Sequence, residues 1–264
     1  MYLSACIEWL FREEYPDFSD RVRAAKAQGF SHVEFHLWRD KPLAALAQAL
    51  EETGVTLSSF VVEPRRSLVE PRRSLVDPAE HEQFLAAVSD SLAVSRQLGS
   101  PPLVVASGFS REGVDIAEQR AQAVHILRQA ATLAEAAGVT LLLEPLNTRI
   151  DHPGMFLNDT RLALDIIEAV DSPRLQLLFD VYHSMVMEEE MEEVLGGRMH
   201  RVGHVQIAQA PDRNEPDPRS GEWPALIARL QRLGYNGAIG LEYKPSLPAA
   251  ASVARAREAT GLSC

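Results

Sequence analysis

Four short apolar runs in the second half of the chain each end on a side chain that offers an oxygen. They are Leu141-Leu142-Leu143-Glu144, Leu175-Gln176-Leu177-Leu178-Phe179-Asp180, Val202-Gly203-His204-Val205-Gln206 and Ala238-Ile239-Gly240-Leu241-Glu242. A buried strand ending on a carboxylate or amide directs it to whatever lies at that edge of the sheet. Four in succession predict four ligands for one divalent cation: Glu144, Asp180, Gln206 and Glu242. Three carboxylates and an amide oxygen make an all-oxygen set, which suits octahedral Mg2+ or Mn2+ and leaves positions for adjacent oxygens of a substrate. Zinc or copper would favour more nitrogen or sulfur.

Such residues meet only if their strands run the same way and close on one another. Short β-type runs near 3–7, 32–35, 57–62, 103–105, 140–143, 175–179, 202–207 and 238–241 alternate with helical stretches near 19–28, 42–53, 79–98, 116–137, 160–170, 187–195, 223–233 and 249–259. This alternation predicts a (β/α)8 TIM barrel, in which the C-terminal strand ends share one mouth. An open doubly wound sheet is disfavoured because no Gly-rich phosphate loop follows the first strand. Gly29, Gly54, Gly99, Gly138 and Gly234 stand where helices should stop before strands two, three, four, five and eight. Asp77-Pro78 and Asn158-Asp159-Thr160 place capping side chains ahead of helical periodicity. A perfect tandem duplication, residues 63–69 and 70–76, lengthens the loop after strand three. Its four arginines are read first as a solvated loop and second as a contact for an anionic ligand.

At 264 residues and 46% hydrophobic, the chain is long enough for one barrel domain spanning 1–264. A formal net charge of -11 argues against nucleic acid as a partner, since little would drive counterion release from a phosphate backbone. With only Cys6 and Cys264, neither a disulfide framework nor a zinc–cysteine spacing exists, which suits a reducing compartment. The first ten residues lack a basic leader, and no apolar run approaches the roughly 20 residues that would span a bilayer. The expectation is a cytoplasmic protein without a membrane partner, acting on a small molecule. A homo-oligomer is compatible with the sequence.

Several motifs carry a family resemblance. Glu144-Pro145-Leu146-Asn147-Thr148-Arg149, followed by His152-Pro153-Gly154, resembles a signature of the hydroxypyruvate isomerase family within the xylose isomerase-like barrels. Phe179-Asp180-Val181-Tyr182-His183, Gly203-His204-Val205-Gln206-Ile207-Ala208 and Gly240-Leu241-Glu242-Tyr243-Lys244-Pro245 resemble the others in order and spacing, and Val33-Glu34-Phe35 extends the match to strand two. The resemblance implies interconversion of hydroxypyruvate and tartronate semialdehyde through an enediolate. It implies divalent metal binding by Glu144, Asp180, Gln206 and Glu242, with Glu144 and Glu242 also exchanging protons with the substrate. It further implies that His183 contacts a substrate oxygen and that Arg213 pairs with a substrate carboxylate. Lys244 and Arg149 are lesser candidates for that pairing, His204 one for supporting the ligands, and Glu34 is read evenly as a pocket residue or a structural carboxylate.

Two departures bear on the substrate. Asn214 stands where relatives carry a histidine beyond strand seven, and Ala106-Ser107-Gly108 replaces a histidine-containing turn after strand four. A 2-oxo-tetronate isomerase or a ketose 3-epimerase is therefore a neighbouring reading, with Gln206 weighing against the epimerases. An endonuclease IV-like barrel is disfavoured by the acidic balance and the oxygen-only ligands. An inactive metal-binding barrel is the remotest alternative.

Overall fold

Eight β-type runs of three to six residues become strands, and helix follows each of the first seven before the next strand. A computed structural model describes residues 1–64 and 74–264. The strands are β1 (Tyr2–Cys6), β2 (His32–Glu34), β3 (Thr56–Val61), β4 (Leu103–Ala106), β5 (Leu141–Glu144), β6 (Leu175–Asp180), β7 (Val202–Ile207) and β8 (Ala238–Leu241). They form a closed barrel in sequence order, the fold the alternation predicted. The helices are α1 (Phe18–Ala27), α2 (Leu43–Thr53), α3 (His81–Gln97), α4 (Ile116–Ala137), α5 (Thr160–Val170), α6 (Val181–Val186), α7 (Met191–Leu195), α8 (Trp223–Arg232) and α9 (Ala249–Thr260).

The chain groups into two compact units, one of Met1–Phe60, Asp180–Tyr182 and His204–Cys264, the other of Val61–Phe179 and His183–Gly203. In the first, β7 pairs with β8, β8 with β1, β1 with β2 and β2 with β3, all parallel. Register sets Gly240 beside Gln206 on one side and Ser4 on the other, so two small residues follow a large polar one across the sheet. Phe35 and Phe60 stack at 5.2 Å in its core, with Phe18 edge-on to Phe35 at 5.5 Å.

In the second unit β4, β5 and β6 pair in parallel, and Val104, Leu142 and Leu178 pack together beneath Val61. Helix α5 shows how its sequence specifies such an element. Asp159 accepts the Leu162 N–H at 2.7 Å, and Ala163, Leu164, Ile166, Ile167 and Val170 are buried at helical spacing. Each buried leucine or isoleucine of this kind contributes roughly 1.5–3 kcal/mol. Helix α4 ends at Gly138, whose φ of 71° is the left-handed stop expected of a glycine there.

Two boundaries differ from the sequence reading. The stretch 79–98 opens as a 3-10 turn at Pro78–Glu80, with the Asp77 carboxylate accepting the Ala79 N–H at 3.1 Å, before α3 begins. The helix expected at 187–195 forms only as α7, from Met191, and an unexpected α6 precedes it, starting at once after Asp180. Asp180 Oδ1 accepts the Tyr182 N–H at 2.8 Å, so the ligand candidate is also a helix cap, a role hidden within the apolar run Leu177–Tyr182 in the sequence. Glu188, with φ of 63°, interrupts the stretch. Most of the duplicated segment, residues 65–73, lies outside the described residues, and with it the arginine-rich loop. Among the described residues no helix is long and apolar enough to cross a membrane.

Candidate metal centre and active site

The C-terminal ends of β2, β7 and β8, with Asp180, bring a polar cluster together in the first unit. Glu34 ends β2 and is 1% exposed. Its Oε2 faces His204 Nε2 at 2.7 Å and accepts from Ser58 Oγ at 3.1 Å, while Oε1 accepts from Gln206 Nε2 at 2.7 Å. Gly240 makes room for this carboxylate, since a Cβ there would lie 2.7 Å from Glu34 Cδ and closer still to its oxygens. Gly240→Ala should therefore displace Glu34 at an overpacking cost of about 1–3 kcal/mol. A melting temperature equal to that of the parent protein would contradict this crowding.

Glu242, next after β8, has both oxygens engaged. Oε1 lies 2.7 Å from His36 Nε2, and Oε2 accepts from Arg213 Nη2 at 2.7 Å. The same guanidinium nitrogen is 3.6 Å from Asp180 Oδ2, so one cation stands against two carboxylates. Arg213 is held by the rings of Trp9 and Tyr182, with centroids 5.2 and 4.9 Å away, and takes a φ of 55°. Burial opposes a charge on His36, but the hydrogen bond to Glu242 and its charge outweigh that and hold the imidazole above its usual range. Cys6 Sγ is 3.7 Å from the same ring nitrogen. Burial, then the charges of Glu242 and Glu34, pushes that thiol well up, which keeps it protonated and unsuited to nucleophilic work.

The second unit holds the other cluster. Asn147 Oδ1 accepts the N–H groups of Ile150 and Asp151, both at 3.0 Å, which leaves its Nδ2 to donate to Asp151 Oδ2 and to His183 Nδ1, each at 2.7 Å. The Asn147 backbone N–H also points at Nδ1, at 3.2 Å. An Nδ1 that accepts puts the ring proton on Nε2, and Nε2 lies 3.9 Å from Glu144 Oε1. In this tautomer His183 offers a donor, so Glu144 is the residue of this cluster whose oxygen could ligate a metal ion. Asn147→Ala should lower stability by about 1–3 kcal/mol while the ring keeps its Nε2–H form, because the backbone N–H of residue 147 still donates to Nδ1. Imidazole 15N shifts would read the tautomer directly, and an Nδ1–H form in the parent protein would refute the assignment.

The remaining candidates divide by exposure. Lys244 is exposed, its Nζ 5.8 Å from the Trp9 ring centroid. Arg149 turns to the surface, bonding the Val186 carbonyl at 3.1 Å and Glu188 at 2.9 Å. Ser107, in the turn where relatives carry a histidine, braces the backbone around it. Its Oγ donates to the Gly108 carbonyl at 2.9 Å and accepts the Leu157 N–H at 3.0 Å. Asn214 pairs its carbonyl with the Gln209 N–H at 2.8 Å, closing the loop that carries Arg213. Sequence reasoning missed His36 and Trp9. The available signal for His36 was its place two residues past Glu34, just beyond a strand end on the face where barrel sites form.

A divalent ion suits these residues. Gln206 is 5% exposed, and its Oε1 has no hydrogen-bond partner among the described residues, an expensive state for a buried carbonyl that a bound cation would relieve. Arg213 set against Asp180 and Glu242 marks a concentration of negative charge in the same unit.

The xylose isomerase-like TIM barrel family matches residues 22–260. A 2-oxo-tetronate isomerase of Cupriavidus necator is 34% identical over 228 residues, 86% of this chain and 87% of its own length. A hydroxypyruvate isomerase of Escherichia coli is 30% identical over 242 residues, 92% and 93% of the two chains. The crystal structure of an AP endonuclease, family 2, from Brucella melitensis superposes with a TM-score of 0.88 at 29% identity, covering 96% of this chain and 97% of that one. The chain belongs to the xylose isomerase-like TIM barrel family, an enzyme family whose members similar to this chain include hydroxypyruvate and 2-oxo-tetronate isomerases.

Proposed function

We propose that the protein is a divalent-metal-dependent isomerase of a small 2-oxo acid, working by proton transfer through an enediolate, with hydroxypyruvate as first substrate. The observation that carries this reading is the buried Gln206 Oε1, which has no hydrogen-bond partner among the described residues; Arg213 held against the carboxylates of Asp180 and Glu242 supports it. Glu144, Asp180, Gln206 and Glu242 would hold Mg2+ or Mn2+. Such an ion supplies Lewis-acid polarisation of the substrate carbonyl.

The chain's own residues account for the proton movements. One of Glu144 and Glu242 removes a proton from C3 of hydroxypyruvate, and the other delivers one to C2. The C3 hydroxyl proton passes to the C2 oxygen, so the product, tartronate semialdehyde, is an isomer with no redox partner. A carboxylate oxygen has two lone pairs, so Glu242 can keep its bonds to His36 and Arg213 while it serves. His183 Nε2–H donates to a substrate oxygen, and the Arg213 guanidinium takes the substrate carboxylate, with Lys244 as the outer cation. The identity to the Cupriavidus necator enzyme supports a second substrate, a 2-oxo-tetronate, for the same chemistry.

Proton NMR in D2O with hydroxypyruvate, with Mg2+ and after chelation, tests the proposal. Metal-dependent deuterium uptake with a new aldehyde hydrate signal is the expected result. Exchange that survives chelation would end the metal reading. Inertness toward hydroxypyruvate with turnover of a 2-oxo-tetronate would move the substrate to the second candidate.

A further inference from the structure

Gln206 can contribute to a cation site only if its amide presents oxygen rather than nitrogen. A glutamine side chain is nearly symmetric in shape, and nothing in its own rotamers distinguishes the two ends. The distinction must come from a neighbour, and the neighbour is Glu34. A carboxylate accepts and does not donate, so the 2.7 Å contact between Glu34 Oε1 and Gln206 requires the amide NH2 at that end. Gln206 Oε1 is then forced to the opposite end, where it is buried and has no hydrogen-bond partner among the described residues.

Glu34 is itself built into place. Ser58 Oγ at 3.1 Å and His204 Nε2 at 2.7 Å hold its other oxygen. Gly240 and Ser4, neighbours in register on β8 and β1, are small enough to let the side chain cross from β2 toward β7. A carboxylate with three polar partners and 1% exposure has one geometry open to it.

We propose that Glu34 is a positioning residue: by accepting from Gln206 Nε2 it turns the amide so that oxygen alone faces the cation site, tuning that site for a hard divalent ion. The inference rests on the metal reading of Gln206 given above and adds a cause for it. Glu34 touches neither ion nor substrate, and its effect passes through Gln206. Residues supporting metal ligands in this way are typically worth about 10- to 100-fold in affinity.

The test is a double-mutant cycle on Mn2+ affinity, read by electron paramagnetic resonance of unbound Mn2+ on the purified protein, with no turnover needed. The variants are Glu34→Ala, Gln206→Ala and the pair together, each checked for folding by circular dichroism. Glu34→Ala, which removes the acceptor, should weaken Mn2+ binding about 10- to 100-fold. In the double variant the dissociation constant should stay within about threefold of Gln206→Ala, because one residue acts through the other. Losses that multiply would mean that Glu34 acts by its own charge, and would overturn the proposal. Glu34→Asp is the second variant: it keeps the charge but withdraws it by one methylene, so the weakening should persist there too. Affinity equal to the parent protein in both Glu34 variants overturns the positioning role alone. Absence of Mn2+ binding by the parent protein overturns the metal reading beneath it and the inference together.

Discussion

Glu242→Gln should cut deuterium exchange between substrate and solvent by about two to four orders of magnitude, the usual worth of a placed general acid or base. The substitution keeps the volume of a side chain that is 8% exposed, so lost activity reports chemistry rather than packing. Its structural cost is calculable in kind. The new amide must set its NH2 against either Arg213 Nη2 or His36 Nε2, which now lie at 2.7 Å from the two carboxylate oxygens. Set against Arg213, two donors face each other. Set against His36, the ring must accept instead. Either arrangement costs about 1–3 kcal/mol, a lower melting temperature but a folded barrel. Glu144→Gln should show the same loss of exchange. Undiminished turnover in both variants would defeat the assignment of the proton-transfer pair, whatever the metal does.

The second large effect is expected at Asp180, where a single atom change separates two roles. Oδ1 caps α6 through the Tyr182 N–H at 2.8 Å, and asparagine caps a helix as well as aspartate does. Asp180→Asn should therefore leave α6 in place while removing one negative charge from the cluster. A unit charge about 4 Å from another at an effective dielectric near 20 is worth about 4 kcal/mol. That scale predicts Mn2+ binding weaker by about 10²- to 10³-fold. A melting-temperature rise on adding Mg2+, expected for the parent protein by linkage, should vanish in the variant. Chelation of the parent protein should mimic it, and restored metal should restore turnover. An Asp180→Asn protein that binds Mn2+ as tightly as its parent would remove Asp180 from the ligand set.

Much of this molecule was legible in one dimension, for reasons that residues make plain. The β5 run Leu141-Leu142-Leu143 is apolar at every position, as a strand buried on both faces must be, and Glu144 breaks the pattern at the end where barrel sites form. Asp159 and Gly138 mark a helix start and a helix stop because a cap oxygen and a left-handed φ are local requirements. The start of α6 was illegible because Val181 and Tyr182 prolong the apolar run of β6, while the cap that turns the chain is the very carboxylate read as a ligand.

Arg149 and Arg213 show the other boundary. Both lie near motif residues, and charge and spacing do not separate them. In the fold Arg149 bonds Glu188 at 46% side-chain exposure, whereas Arg213 is packed against Trp9 and Tyr182 with its guanidinium on Glu242. His36 was passed over for the same reason, since its partner Glu242 is 206 positions away.

The sequence by itself determined the alternation of strands and helices, the parallel barrel that follows from it, and which strand ends carry oxygen. These depend on periodicity and local caps, which act over a few residues. Only the tertiary structure decided which end of the Gln206 amide faces Glu34, which nitrogen of His183 carries the proton, and which cation stands against Glu242. Each of these is the choice of a hydrogen-bond partner or counter-charge across space, and such choices are made by neighbours that only the fold brings into hydrogen-bonding reach.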